Sequence, residues 1–160
     1  MNQRTITYRA AATPSEFAQG RKLFELYAQS LGFDLSFQGF AGELDALAEQ
    51  YGPPAGALHL AFSGEQAIGC AGIRAFDEAT AELKRMFVLP EYQGRQVGQR
   101  LLERCIASAI EGGYRRLVLD TLPHMEGALR LYRRAGFEEI PPYRYNPFAD
   151  AVFLEKKLRE

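Results

Sequence analysis

No apolar run in this sequence approaches the ~20 residues that span a bilayer. The opening Met1-Asn2-Gln3-Arg4 lacks the apolar core of a secretory signal. Cysteine is scarce: Cys70 and Cys105 lie in apolar segments without Cys-x-x-Cys spacing. That excludes a disulfide framework or a zinc ribbon and suits core residues in a reducing compartment. Charge of one sign is also missing. The net charge is −1, so no global field recruits nucleic acid or an anionic membrane. Two familiar phosphate loops are absent, Gly-x-x-x-x-Gly-Lys-Ser/Thr and Gly-x-Gly-x-x-Gly. Linkers, repeats and low-complexity segments are absent as well. What remains is a cytoplasmic protein with no metal, nucleic-acid or membrane partner. Its 160 residues, 47% hydrophobic and 24% charged, suit a single domain over 1–160 with one sizeable core.

The most informative stretch runs from Arg85 to Ile110. Met86-Phe87-Val88-Leu89 is an apolar run closed by Pro90. Beyond Gln93-Gly94-Arg95-Gln96-Val97-Gly98-Gln99-Arg100, the apolar residues Val97, Leu101, Leu102, Cys105, Ile106, Ala109 and Ile110 recur at helical spacing. The stretch therefore reads as strand, glycine turn and amphipathic helix. The first N–H groups of a helix lack internal partners and carry the positive end of its dipole. A glycine-lined helix start is thus suited to phosphate, or is simply turn chemistry.

The rest of the chain supplies strands and helices around it. Strands are expected at 5–9, 57–62, 66–75, 82–88, 117–119, 137–140 and 151–158. Ser63-Gly64-Glu65 turns a hairpin. Thr13-Pro14-Ser15-Glu16 is a capping box that opens a helix closed by Gly32. Further helices are expected over 43–51, from Gly94 to Gly112-Gly113, and over 124–135. The wholly apolar Leu117-Val118-Leu119 suits a strand covered on both faces. Joined by a helix to the strand at 82–88, it forms a right-handed β-α-β unit with those two strands parallel.

Gln93-Gly94-Arg95-Gln96-Val97-Gly98 resembles the Gln/Arg-x-x-Gly-x-Gly/Ala pyrophosphate loop of the GNAT acyltransferases. Ala81 to Val88, Leu117 to Thr121 and Ala128-Leu129-Arg130-Leu131-Tyr132-Arg133-Arg134-Ala135-Gly136-Phe137 are similar to further blocks of that family, in order. The resemblance implies a mixed α/β fold. Its sheet is mostly antiparallel, with six to seven strands, a central splayed parallel pair and about four flanking helices. It also implies an N-acetyltransferase using acetyl-coenzyme A on the primary amine of a small metabolite or amino-acid-like acceptor, as monomer or homodimer. An acyl-CoA-binding sensor, a protein or peptide acetyltransferase, and a nucleotide-binding protein are the other readings.

In the implied chemistry, Gln93, Gly94, Arg95, Gln96, Val97, Gly98, Gln99 and Arg100 hold the diphosphate. Met86, Phe87 and Val88 offer a strand edge to the pantetheine arm, and Thr121 touches it. Met125 stands where the family often has an asparagine. A backbone N–H, that of Val88, would stabilise the oxyanion. Keeping an alkyl amine neutral at pH 7 costs roughly 4–5 kcal/mol, so a base helps. Glu82 aligns with a family base, with Lys84 and Met86 expected on its face by alternation; Glu82 and Lys84 otherwise make a surface pair. His59 and His124 are rivals. Tyr132 would protonate the departing thiolate, or else pack in the core. Phe33, Phe37, Arg74, Tyr143, Arg144 and Asn146 are acceptor-binding candidates, the arginines as carboxylate readers and the aromatics as pocket walls.

Overall fold

A computed structural model describes residues 5–32 and 34–159 and, at Phe37, the backbone alone. The expectations for Met1 to Arg4, for Phe33 and for the Phe37 side chain lie outside the described residues. Seven strands form one sheet in the order β1-β2-β3-β4-β5-β7-β6. They are β1 Ile6–Ala10, β2 Ala57–Ser63, β3 Gln66–Ala75, β4 Thr80–Val88, β5 Arg116–Thr121, β6 Glu138–Ile140 and β7 Val152–Lys157. Every described pairing is antiparallel except β4 with β5.

Five α-helices are described: α1 Pro14–Leu31, α2 Phe40–Asp45, α3 Leu47–Gln50, α4 Val97–Glu111 and α5 Glu126–Arg134. The capping box at Thr13 and Glu16 is present, and Gly32 closes α1 in the left-handed conformation at φ 76°. The helix expected over 43–51 is instead two short helices, broken at Ala46, after a 3₁₀ turn at Ser36–Gln38. Each piece is too short to persist alone and is held by its packing on the sheet. Leu47 and Tyr51 are buried in the core.

The sheet separates two apolar clusters. On one face, Val97, Leu101, Leu102, Cys105 and Ala109 of α4 pack on Ile68, Ile73, Leu83, Leu117 and Leu119. On the other, Leu23 and Phe24 of α1 pack with Leu47 and Tyr51 on Leu58, Leu60, Phe62 and Cys70. Each fully buried leucine contributes about 1.5–3 kcal/mol through area removed from water. A glycine is required at 72, because a Cβ there would stand 2.5 Å from the Tyr51 ring.

One irregularity in β4 shapes the site. Gly72 pairs with Lys84, but Cys70 pairs with Phe87, so β4 carries one extra residue. The bulge falls at Arg85, whose φ is +60°. It reverses the alternation. Met86 and Val88 pack with Ala81 and Leu83 on the α4 face, and Phe87 packs on the α1 face. Met86 therefore does not share a face with Glu82 and Lys84, as uninterrupted alternation had implied.

Candidate active site

β4 and β5 pair at only three positions, Thr80 with Arg116, Ala81 with Leu117 and Glu82 with Val118. β4 continues along β3 to Val88, while β5 stays paired with β7 as far as Thr121. The two strands therefore part after Glu82 and Val118, and a gap opens in the middle of the sheet. A cavity of about 60 Å³ fills its near end. Leu83, Lys84, Met86, Leu119, Asp120 and Thr121 wall it from the strands, Tyr132 from α5, and Tyr27 and Leu31 from α1. A second cleft, of about 520 Å³, continues along the strand edge Met86-Phe87-Val88 to the start of α4.

The start of α4 leaves its first amides without a partner among the described residues. Gln96 caps it in the left-handed conformation at φ 63°, and no side chain satisfies its first amides. Arg100 makes the first helical bond back, to the Gln96 carbonyl. Among the described residues, the amides of Gly94 to Gln99 bond to no backbone carbonyl. Gly94 at φ +81° turns the chain with open space where a Cβ would lie. Consecutive free amides around a left-handed residue form an anion-binding concavity, reinforced by the helix dipole. Gly94→Ala is expected to cost about 1–2 kcal/mol of folding stability through the left-handed conformation. It should also weaken coenzyme A binding, measured by calorimetry beside a denaturation curve.

The loop's side chains divide. Gln93 ties the turn to the strand end by donating to the Val88 carbonyl at 3.1 Å. Gln99 folds along the helix onto Glu103 at 3.2 Å. Arg95 lies over the Tyr92 ring at 5.2 Å. Arg100 sits near Tyr8, whose ionisation feels its charge, and is not among the cleft-lining residues. Arg130 and Arg134 of α5 do line the cleft. The sequence holds them on one helical face, four residues apart, a spacing that could have flagged them.

Tyr132 is buried, and its ring packs against Phe137 at 5.8 Å between centroids. Burial pushes its phenol well above the usual range, with nearby Tyr27 adding to the effect. The hydroxyl has no hydrogen-bond partner among the described residues. It is a protonated donor at a cavity wall. Thr121 donates to the Met125 sulfur at 3.4 Å, and both line the same cavity.

Glu82 lies at the last paired position, outside the cavity lining. It is buried, not on the surface, accepts from Tyr143 at 2.7 Å and Arg74 at 3.3 Å, and pairs ionically with Arg144 at 3.3 Å. A substrate proton can reach it only past one of these donors. Arg74 and Arg144 line a separate groove with Glu82, and Tyr143 is wedged between Phe76 and Phe153. Of the acceptor candidates, Asn146 lines the gap cavity, where it donates to Asp120 at 3.2 Å. His59 faces α4 through Ser108 at 2.6 Å, and burial lowers its pKa to about 4. His124 is exposed before α5.

Sequence reasoning passed over Lys84 and Asp120 as cavity residues. Lys84 is buried and donates to Gln38 at 3.0 Å. Burial and then the Arg85 charge lower its pKa to about 8. A lysine inside a central strand was the available signal. Behind it, Arg85 makes two hydrogen bonds to Glu43, at 2.9 and 2.8 Å, and Tyr51 donates to the same carboxylate at 2.9 Å.

Comparison with known proteins agrees with this architecture. The sequence profile of the acetyltransferase (GNAT) family matches residues 21–137. An uncharacterized N-acetyltransferase of Schizosaccharomyces pombe is 32% identical over 160 residues, spanning 99% of this chain and 98% of the relative. An acetyltransferase of the GNAT family from Staphylococcus aureus superposes with a TM-score of 0.79 at 22% identity, over 97% of this chain and 100% of that one. The yncA structure from Salmonella typhimurium, solved with its cofactor acetyl-CoA, superposes with a TM-score of 0.69 at 20% identity, over 97% and 95% of the two chains.

Proposed function

Because the chain belongs to the acetyltransferase (GNAT) family, we propose that it transfers acetyl from acetyl-coenzyme A directly to the primary amine of a small, amino-acid-like acceptor. The observation that carries this reading is the parting of β4 and β5 after three paired positions. The gap joins a row of free amides at α4 to a cavity walled by Tyr132. The residues present fit the co-substrate. The amides of Gly94 to Gln99 suit its diphosphate, and Arg130 and Arg134 add positive charge beside them. The edge of Met86 to Val88 suits its pantetheine amides.

The Val88 N–H would offer a preorganised donor to the developing oxyanion. Tyr132 donates its proton to the departing thiolate. Burial keeps that proton on Tyr132 until the thiolate forms, and the same burial would raise the basicity of the thiolate that takes it. The acceptor amine must lose a proton before attack. Glu82 serves that step through Tyr143, its nearest hydrogen-bond donor. The gap cavity is covered by α1 and by the loop that carries Asn146 and Phe148, which supports a small acceptor over a folded protein segment. Two free, buried cysteines suit a reducing, cytoplasmic setting. No described helix is long and apolar enough to cross a membrane.

A binding-and-turnover pair tests the reading. Acetyl-coenzyme A at 100 times its Kd should stabilise the fold by about 2.7 kcal/mol, while ATP and NAD should not. A panel of amines, amino acids and peptides with a free-thiol readout should show turnover on small amines. Turnover confined to peptide termini or protein lysines would overturn the acceptor class.

A further inference from the structure

Lys84 and Asp120 face each other at the first open rung of the gap. The last paired position joins Glu82 to Val118, so the next residues on the same face are Lys84 and Asp120. Their neighbours Leu83 and Leu119 point to the α4 side. Lys84 and Asp120 therefore project together into the acceptor end of the cavity, beneath α1 and the loop that carries Asn146 and Phe148. Yet they form no ion pair with each other. Lys84 uses its ammonium on the neutral amide of Gln38, and Asp120 accepts from the neutral amide of Asn146.

Taking amine acetylation at this site as given, we propose that Lys84 and Asp120 select a zwitterionic acceptor, an apolar amino acid whose carboxylate pairs with Lys84 and whose amine lies at Asp120. A buried ammonium with no carboxylate in contact is costly, and the acceptor's own carboxylate removes that cost. A simple amine brings a second cation towards Lys84 and has nothing to offer it. A peptide N-terminus carries no carboxylate beside its amine. Tyr27, Leu31, Leu35 and Phe148 complete an apolar wall for the side chain. The charged groups around Lys84 are Arg85 and Glu82 on its own strand, Arg74 on β3 and Asp120 on β5. Arg85 is committed to Glu43, and Glu82 to Arg74 and Arg144. Asp120 is thus the one of these carboxylates that reaches the cavity without an arginine on it.

The test compares leucine with 3-methylbutylamine and phenylalanine with phenethylamine, in wild type, Lys84→Met and Asp120→Asn. Wild type should favour each amino acid over its matched amine in kcat/KM by about 10- to 100-fold, the value of one charge-assisted hydrogen bond. Lys84→Met should erase that preference through KM and melt no lower than wild type, since it removes a buried charge. Asp120→Asn should weaken both members of each pair. Binding of 4-methylpentanoate to the coenzyme A complex supplies a readout independent of turnover. Measured by calorimetry at pH 8.5 in two buffers of different ionisation enthalpy, it should take up protons in wild type and not in Lys84→Met. The direction follows from Lys84, whose pKa of about 8 rises when a carboxylate arrives. Affinity for the carboxylate is full below pH 8 and falls as the pH climbs through the raised value. Acetylation of amines without preference for amino acids, or binding without proton uptake, overturns the inference and leaves the transfer reading intact. Failure to acetylate any amine overturns both.

Discussion

Glu43→Ala is expected to lower folding stability by about 3–5 kcal/mol, the cost of stripping one partner from a buried ion pair. The loss would be visible as a fall in the urea midpoint at unchanged slope. Glu43 and Arg85 are both nearly inaccessible, at 2% and 5%. The guanidinium grips both carboxylate oxygens, and Arg74 lies 3.6 Å from one of them. Without Glu43, Arg85 is a buried cation with no counter-charge. The double variant Glu43→Met, Arg85→Met should recover much of the loss, because packed apolar groups replace such pairs at little cost. Burial works against the Glu43 charge, but the Arg85 hydrogen bonds and charge outweigh it and hold the carboxyl below its usual range. A carboxyl shifted down stabilises the fold above its unfolded pKa and loses that contribution as pH falls through the folded one. The gap between wild type and Glu43→Ala should therefore be full at neutral pH and close in acid. Arg85 is also the bulge residue of β4. Its release should disturb the strand edge that follows, and acetyl-coenzyme A affinity should fall with stability.

Tyr132→Phe is expected to lower kcat by about 10²-fold, the low end for general acid–base catalysis, because a thiolate is already a fair leaving group. KM for acetyl-coenzyme A and the melting temperature should barely move. The ring keeps its contact with Phe137, and among the described residues no hydrogen bond is lost when the hydroxyl goes. A kcat unchanged across a pH series would take Tyr132 out of the mechanism. A loss confined to KM would instead make the hydroxyl a binding group.

Much of the fold is legible because its signals are local. The capping box at Thr13 and Glu16, the glycine closure at Gly32 and the hairpin at Gly64 each follow from a few adjacent residues. The amphipathic stripe of α4 and the apolar run of β5 state which faces are covered. The β-α-β order makes β4 and β5 parallel before any contact is known. The segment from 43 to 51 was harder to read, since its two short helices owe their form to tertiary packing more than to their own propensity. The candidate site divides in the same way. Tyr132, Asn146 and the amides beyond Gly94 stand on elements whose ends the sequence marks. Glu82, Arg74 and Arg144 are legible in the sequence only singly, and folding alone brings both arginines to the Glu82 carboxylate, in a groove beside the gap.

From its residues alone, this chain declares a strand, a glycine turn and a helix arranged to hold an anion, because dihedral preference and hydrophobic period act over a handful of neighbours. The polarity of the pocket beside it was decided elsewhere. One extra residue at Arg85 reverses which side of β4 each later side chain takes. A carboxylate 42 residues away holds that bulge in place. A third strand draws β5 away from β4. Those three events depend on partners distant in sequence. The first two set the strand edge beyond the bulge, and the parting of the strands leaves a lysine and an aspartate facing each other across an open rung.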